Sequence, residues 1–192
     1  MGFSAGRLAR VYKTLGADIV GIEIGVCRGE NILELMRNCP NIKKMYGVDP
    51  WKAYAINKLN RPPNFQTITQ EDCDEWHLTA LEILVPYLKN NQVELVRKQS
   101  LEAVKQFSDD FFDFVFIDGD HSYLAVLADL EAWWPKVKPG KIFSGHDFRP
   151  RDVDVRKAVY DFAAKHGVAV NEPINDSPNF GPCWYIKKPE VK

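Results

Sequence analysis

Asp118, Asp120 and His121 follow directly on the apolar run Phe114-Val115-Phe116-Ile117, and His146-Asp147 follows on Ile142-Phe143-Ser144-Gly145. Short continuous apolar runs read as strands buried on both faces of a parallel sheet. In open α/β sheets, ligands bind outside the carboxyl ends of the strands, so both groups stand where chemistry is expected. Carboxylates suit hard divalent cations and imidazole suits Mn²⁺ or Fe²⁺ as well, which makes Asp118, His146 and Asp147 candidate ligands of one ion. His121, three residues after Asp118, is a candidate general base. The plainer alternative is that the strand-end acids form turns and that His121 bonds backbone at the start of a helix. Asp120 is expected to be structural or solvated.

A second group lies earlier, in Glu23-Ile24-Gly25-Val26-Cys27-Arg28-Gly29 and in Asp49. Gly25 permits close approach of the backbone to a ligand, and Gly29 permits tight packing at a helix start. Cys27 stands where a dinucleotide-binding turn would need its second glycine. An acid just before the first glycine suits a cationic ligand better than a pyrophosphate. Asp49 lies about 20 residues beyond the glycines, near where such folds place an acid on ribose hydroxyls.

The elements that must position these residues alternate in the manner of an α/β fold. A basic amphipathic helix is expected over Ser4–Leu15, then a strand at Ile19–Val26, a helix at Glu30–Asn38 and a strand at Met45–Val48. The segment 51–92 is longer than a crossover needs. It breaks at Arg61-Pro62-Pro63-Asn64 and resumes as a helix capped by Thr69 and Asp72, with Pro86 expected to kink or end it. This insertion is read either as a lid or as an elaborated surface crossover. Val93–Val96 is the third strand, and Ser100 is expected to cap a helix over Leu101–Phe107. Helices follow through Tyr123–Trp134 and Val155–Ala163. The first of these is expected to close at Pro135 and Lys138-Pro139-Gly140, before a strand at Lys141–Gly145. Val168–Val170 and Cys183–Ile186 complete the strands, joined by a loop with Pro173, Pro178 and Gly181. Trp133-Trp134 is expected in the core, Cys183-Trp184-Tyr185 in a packed terminal strand, and His77 and His166 on helix surfaces.

A chain of 192 residues with 45% hydrophobic and 27% charged residues fits one globular domain over 1–192. A net charge of -1 gives no electrostatic reason to expect nucleic acid or a membrane as partner. The four cysteines lack metal-site spacing, and no apolar run has the length of a membrane span. No secretory h-region is read at the N-terminus, so a cytoplasmic setting is expected.

At these residues the sequence resembles the class I S-adenosylmethionine-dependent methyltransferases. Glu23-x-Gly25-x-x-x-Gly29, Asp49, Ile117-Asp118-Gly119-Asp120-His121-Ser122-Tyr123 and Gly145-His146-Asp147 resemble the metal-dependent O-methyltransferases of the macrocin O-methyltransferase type. That resemblance implies a doubly wound, mostly parallel seven-stranded Rossmann-like sheet, with helices on both faces and the last strand antiparallel. It implies that Glu23 and Asn31 meet the methionine end of S-adenosylmethionine, Asp49 the ribose, and Gln99 and Ser100 the adenine. Asp118 would touch both the cofactor side and a divalent metal, Mg²⁺ or Mn²⁺. His146 stands where that branch usually carries an acid or amide. The expected activity is methyl transfer to a hydroxyl of a small molecule, with His121 as base; self-association is left open. Two other classes remain open: a nicotinamide-dependent oxidoreductase, and a non-catalytic cofactor-binding protein of the same fold.

Overall fold

The computed structural model describes residues 5–54, 68–172 and 182–190. The chain alternates as α1 (Ala5–Lys13), β1 (Ile19–Ile24), α2 (Glu30–Asn38), β2 (Ile42–Val48), α3 (Gln70–Ile83), α4 (Val85–Lys89) and β3 (Val93–Val96). It continues as α5 (Ser100–Ala103), β4 (Phe112–Ile117), α6 (Tyr123–Trp133), β5 (Val137–Gly145), α7 (Val153–His166) and β6 (Trp184–Lys187). Short 3₁₀ turns follow α5 and α6. The strands form one sheet in the order β3-β2-β1-β4-β5-β6. Five strands run parallel, and β6 is antiparallel to β5, with Ser144 opposite Tyr185. This is the expected α/β, Rossmann-like methyltransferase fold.

Every residue of β4 is buried, which is why its sequence is apolar without alternation apart from Asp113. Its side chains still divide by face, as the two-residue repeat of a strand requires. Phe114 and Phe116 join the core under α1–α4 with Leu8, Tyr12, Ile32, Met45 and Leu84. Val115 and Ile117 join the core under α6 and α7 with Leu130, Trp133, Val159 and Phe162. Asp113 is tolerated because Val20 N–H and the Lys138 ammonium donate to its Oδ2 at 2.9 and 2.8 Å.

The expected seventh strand is reduced to a single bridge. Val168–Val170 makes no ladder, and only Asn171 pairs with Tyr185, through two 2.8 Å backbone bonds. Lys138-Pro139-Gly140 does not close a helix; it lies inside β5, where Gly140 has φ 76° and the register against β4 shifts. Ser100 does not cap α5; Gln99 is the flanking residue and makes no side-chain cap bond. The capping box of α3 is present, with Thr69 and Asp72 satisfying each other's backbone N–H groups. Pro86 does end the long helix, falling in the first turn of α4. The expected break at Arg61–Asn64 and the loop with Pro173, Pro178 and Gly181 lie outside the described residues. Among the described residues, no helix is long and apolar enough to cross a membrane.

Candidate functional site

The carboxyl ends of β1, β4 and β5 are tied edge to edge just where the acids begin. Asp118 N–H donates to Ile24 O at 2.7 Å, and His146 N–H donates to Ile117 O at 3.1 Å. Gly25 has φ 94°, and a Cβ there would lie 2.1 Å from the Asp118 carbonyl oxygen. Only glycine fits that position, so the turn after β1 lies directly against the acid that ends β4.

The first half of the site is acidic. Glu23 is 1% exposed, and its Oε1 accepts a 2.9 Å bond from Asn31 Nδ2. Its Oε2 is buried with no hydrogen-bond partner. Burial, with the charges of Asp118 and Asp49 adding to it, holds the Glu23 carboxyl well above its usual pKa; the Asn31 bond opposes this. Asp49, at the end of β2, acts on the same turn. Its Oδ2 accepts from Val26 N–H at 3.0 Å and Cys27 N–H at 2.9 Å, and its Oδ1 from Trp51 N–H at 2.8 Å. Trp51 Nε1 in turn donates to Cys27 O at 2.8 Å. Asp49 is therefore the clasp of the glycine turn as well as a candidate ribose ligand. Gly29, at φ 80°, faces Ala80 and Leu84, so the end of α3 packs on the same turn.

Gln99 is exposed beside the carboxyl end of β3. Ser100 is turned inward: its hydroxyl donates to Asp129 Oδ1 at 2.5 Å and accepts from Trp133 Nε1 at 2.9 Å. Burial pushes the Asp129 carboxyl up to about 6 despite the Ser100 bond.

The second half brings Asp118, His121, His146 and Asp147 together. His121 Nε2 lies 3.1 Å from Asp147 Oδ2 and 3.7 Å from Asp118 Oδ1. His146 Nδ1 lies 3.5 Å from Asp118 Oδ1 and 3.4 Å from Asp147 Oδ1. Asp147 adopts φ 53°, a left-handed conformation that Asp tolerates better than most residues. Burial raises the pKa of Asp118, but the two imidazoles outweigh it and the carboxyl sits below its usual range. Burial lowers the pKa of His146, but Asp118 and Asp147 outweigh it and the imidazole sits above its usual range. Among the described residues, the set whose ligand atoms all lie within 4.8 Å of one another is Asp118, His121 and Asp147. Two carboxylates and an imidazole fit a divalent ion. That set takes in His121, expected as a base, whereas His146 lies outside it although its Nδ1 is 3.5 and 3.4 Å from the same two carboxylates. A cavity lined by Asp118, His121, His146, Val126, Val155 and Trp184 opens beside this cluster.

Asp120, expected to be structural or solvated, accepts from Ser122 N–H at 2.7 Å. Trp133 is core. His77 and His166 are half-buried rather than exposed, against Trp51 and Phe162 respectively, with ring centroids 4.3 Å apart in each pair. Sequence reasoning missed Trp51, Asp129 and Arg149. Arg149 Nη2 donates to Asp147 Oδ1, and its Nε donates to Asp152 Oδ2 at 2.7 Å. The alternation of acid and base in Asp147-Phe148-Arg149-Pro150-Arg151-Asp152 was the available signal.

The sheet order, the glycine turn and the acid after β2 define the class I fold of S-adenosylmethionine-dependent methyltransferases. The family described as "Methyltransferase domain" matches residues 22–148, and the chain belongs to it. Its fold is similar to that of an O-methyltransferase from Bacillus cereus in complex with SAH, at 18% identity and a TM-score of 0.64 over 95% of this chain and 80% of that one. It is similar to the cofactor-bound protein Rv0187 from MTB, at 15% identity and a TM-score of 0.67 over 97% of this chain and 80% of that one. It is also similar to spermidine synthase from Thermotoga maritima, at 16% identity and a TM-score of 0.61 over 97% of this chain and 59% of that one. An uncharacterized protein from Sinorhizobium fredii, y4gI, is 38% identical over 58 residues; these make up 30% of this chain, and the match spans 6% of that protein's length.

Proposed function

We propose that this chain transfers the methyl group of S-adenosylmethionine to a hydroxyl of a small molecule, with assistance from a divalent ion. The observation that carries the reading is the buried carboxyl of Glu23, whose Oε2 has no partner and whose pKa is raised by burial and by the neighbouring charges of Asp118 and Asp49. Three acids at three neighbouring strand ends favour a positively charged ligand, and S-adenosylmethionine carries a sulfonium and an ammonium. A nicotinamide dinucleotide brings a pyrophosphate, which this turn would repel.

S-adenosylmethionine supplies the activated methyl group. Glu23 and Asn31 bind its methionine end, Asp49 its ribose, and the Gln99–Ser100 turn its adenine. Asp49 also keeps the glycine turn in place through Val26 and Cys27, so the methyl group is held in a fixed position. Asp118 and Asp147 would hold the ion with His146 as third ligand, and a bound Mg²⁺ or Mn²⁺ would lower the pKa of an acceptor hydroxyl. His121, with its side chain 41% exposed at the mouth of the cluster and its Nε2 held toward Asp147 Oδ2, takes the proton on the other nitrogen of its ring. A cytoplasmic setting is part of the reading, in keeping with four free cysteines.

The close grouping of Asp118, His121 and Asp147 favours a second reading, in which His121 is the third ligand. The two differ in one variant. As a base, His121→Ala should cut turnover by about 10²–10⁴ and leave Mn²⁺ affinity near that of the native protein. As a ligand, the variant should bind Mn²⁺ much more weakly. The reaction itself is tested by transfer of labelled methyl groups to a panel of phenols, catechols and sugar alcohols, with and without EDTA. Transfer that persists undiminished in EDTA would remove the ion from the proposal. Cofactor binding without transfer to any acceptor would favour a non-catalytic binding protein.

A further inference from the structure

We infer that Arg149 is the resident counter-cation of Asp147, and that a divalent ion must displace it to enter the site. The inference rests on the reading of Asp118 and Asp147 as metal ligands. The Asp147 carboxylate is already engaged on both oxygens: Oδ1 accepts from Arg149 Nη2, and Oδ2 faces His121 Nε2 at 3.1 Å. Arg149 is held in place from behind. Its backbone N–H and its Nε both donate to Asp152 Oδ2, at 2.9 and 2.7 Å. Asp152 precedes the first turn of α7, where an acid commonly caps the helix, yet it makes no side-chain cap bond there. Its carboxylate is instead committed to Arg149.

Asp152, Arg149 and Asp147 therefore form a chain of alternating charge that ends at the acid–histidine cluster. A guanidinium cannot lose its proton near neutral pH, so this cation leaves Asp147 only by moving. Its side chain is 34% exposed, which gives it solvent to move into without crossing the core. The Asp152 tether keeps it beside the site after it moves. A metal ion approaching Asp147 meets both a blocked lone pair and a like charge. Arg149 thereby sets how much ion is needed to fill the site.

The test is titration of Mn²⁺ alone into the native protein, Arg149→Met and Arg149→Lys, read by calorimetry and by the EPR signal of free Mn²⁺, with circular dichroism to establish folding. Arg149→Met should bind Mn²⁺ at least tenfold more tightly than the native protein. Arg149→Lys, which keeps the charge but loses the fork joining Asp152 to Asp147, should fall between them and serves if the methionine variant does not fold. The gain should vanish in Arg149→Met combined with Asp147→Asn. A Mn²⁺-soaked crystal should show Arg149 turned away from Asp147. Equal Mn²⁺ affinity in all three proteins, with binding lost in Asp118→Asn, would overturn the displacement and leave the metal reading standing. Absence of Mn²⁺ binding from every variant would overturn both.

Discussion

Both oxygens of Asp49 accept backbone N–H groups, from Val26, Cys27 and Trp51, so its removal has two consequences. Asp49→Ala should weaken S-adenosylmethionine binding by about 2–4 kcal/mol, since hydrogen bonds to a charged group are worth roughly 1.5–3 kcal/mol each. It should also loosen the glycine turn, and calorimetry on a variant that remains folded reads the first effect directly. Unchanged affinity would take Asp49 out of the cofactor site. Asp129 gives a prediction of a different kind. Its carboxyl is raised to about 6 by burial, so the fold favours the protonated form. The stability associated with that proton is fully present below the unfolded carboxylate range and is lost as pH rises through about 6. Asp129→Asn keeps an oxygen for the Ser100 hydroxyl and cannot ionise. It should be more stable than the native protein by about 1–3 kcal/mol at pH 8, with the difference shrinking toward pH 4, as read by urea denaturation at several pH values. A variant no more stable at pH 8 would contradict this account of the Ser100–Asp129–Trp133 contact.

At the scale of elements, the turn between β1 and α2 shows the tightest constraint. An alanine at position 25 would combine φ 94° with a Cβ 2.1 Å from the Asp118 carbonyl oxygen. Gly25→Ala should therefore cost about 2–4 kcal/mol, seen as a lower urea midpoint, and should also weaken cofactor binding because β1 and β4 are pushed apart. A variant of native stability and affinity would mean that the turn gives way easily. The same scale shows what was legible in the sequence. The parallel strands were legible because burial on both faces leaves an unbroken apolar run, as in Phe114–Ile117. The site acids were legible because they stop those runs. Three features were not. Val168–Val170 has strand-forming residues, but an edge strand depends on its partner, and Tyr185 offers it only one bridge. Lys138-Pro139-Gly140 carries the residues of a helix stop, yet Val137 and Ile142 on either side pair with β4 and Gly140 N–H donates to Lys188 O, which draws it into β5. Ser100 has the residue type of a cap, but Asp129 and Trp133, 29 and 33 residues away in sequence, claim its hydroxyl.

For the whole molecule, the sheet divides the protein into two apolar cores and leaves its acids at the ends of neighbouring strands. Glu23, Asp49 and Asp118 belong to three different strand ends, and no local segment of the sequence joins them. Their mutual influence exists only once β2, β1 and β4 are side by side. In the proposed function that arrangement receives a cationic cofactor, which is the central claim. The most direct test is calorimetric titration of the native protein with S-adenosylmethionine and, separately, with NADH. The account predicts one saturable site for S-adenosylmethionine, weakened in Asp49→Ala, and no heat of binding with NADH. Binding of NADH with no response to S-adenosylmethionine would contradict it.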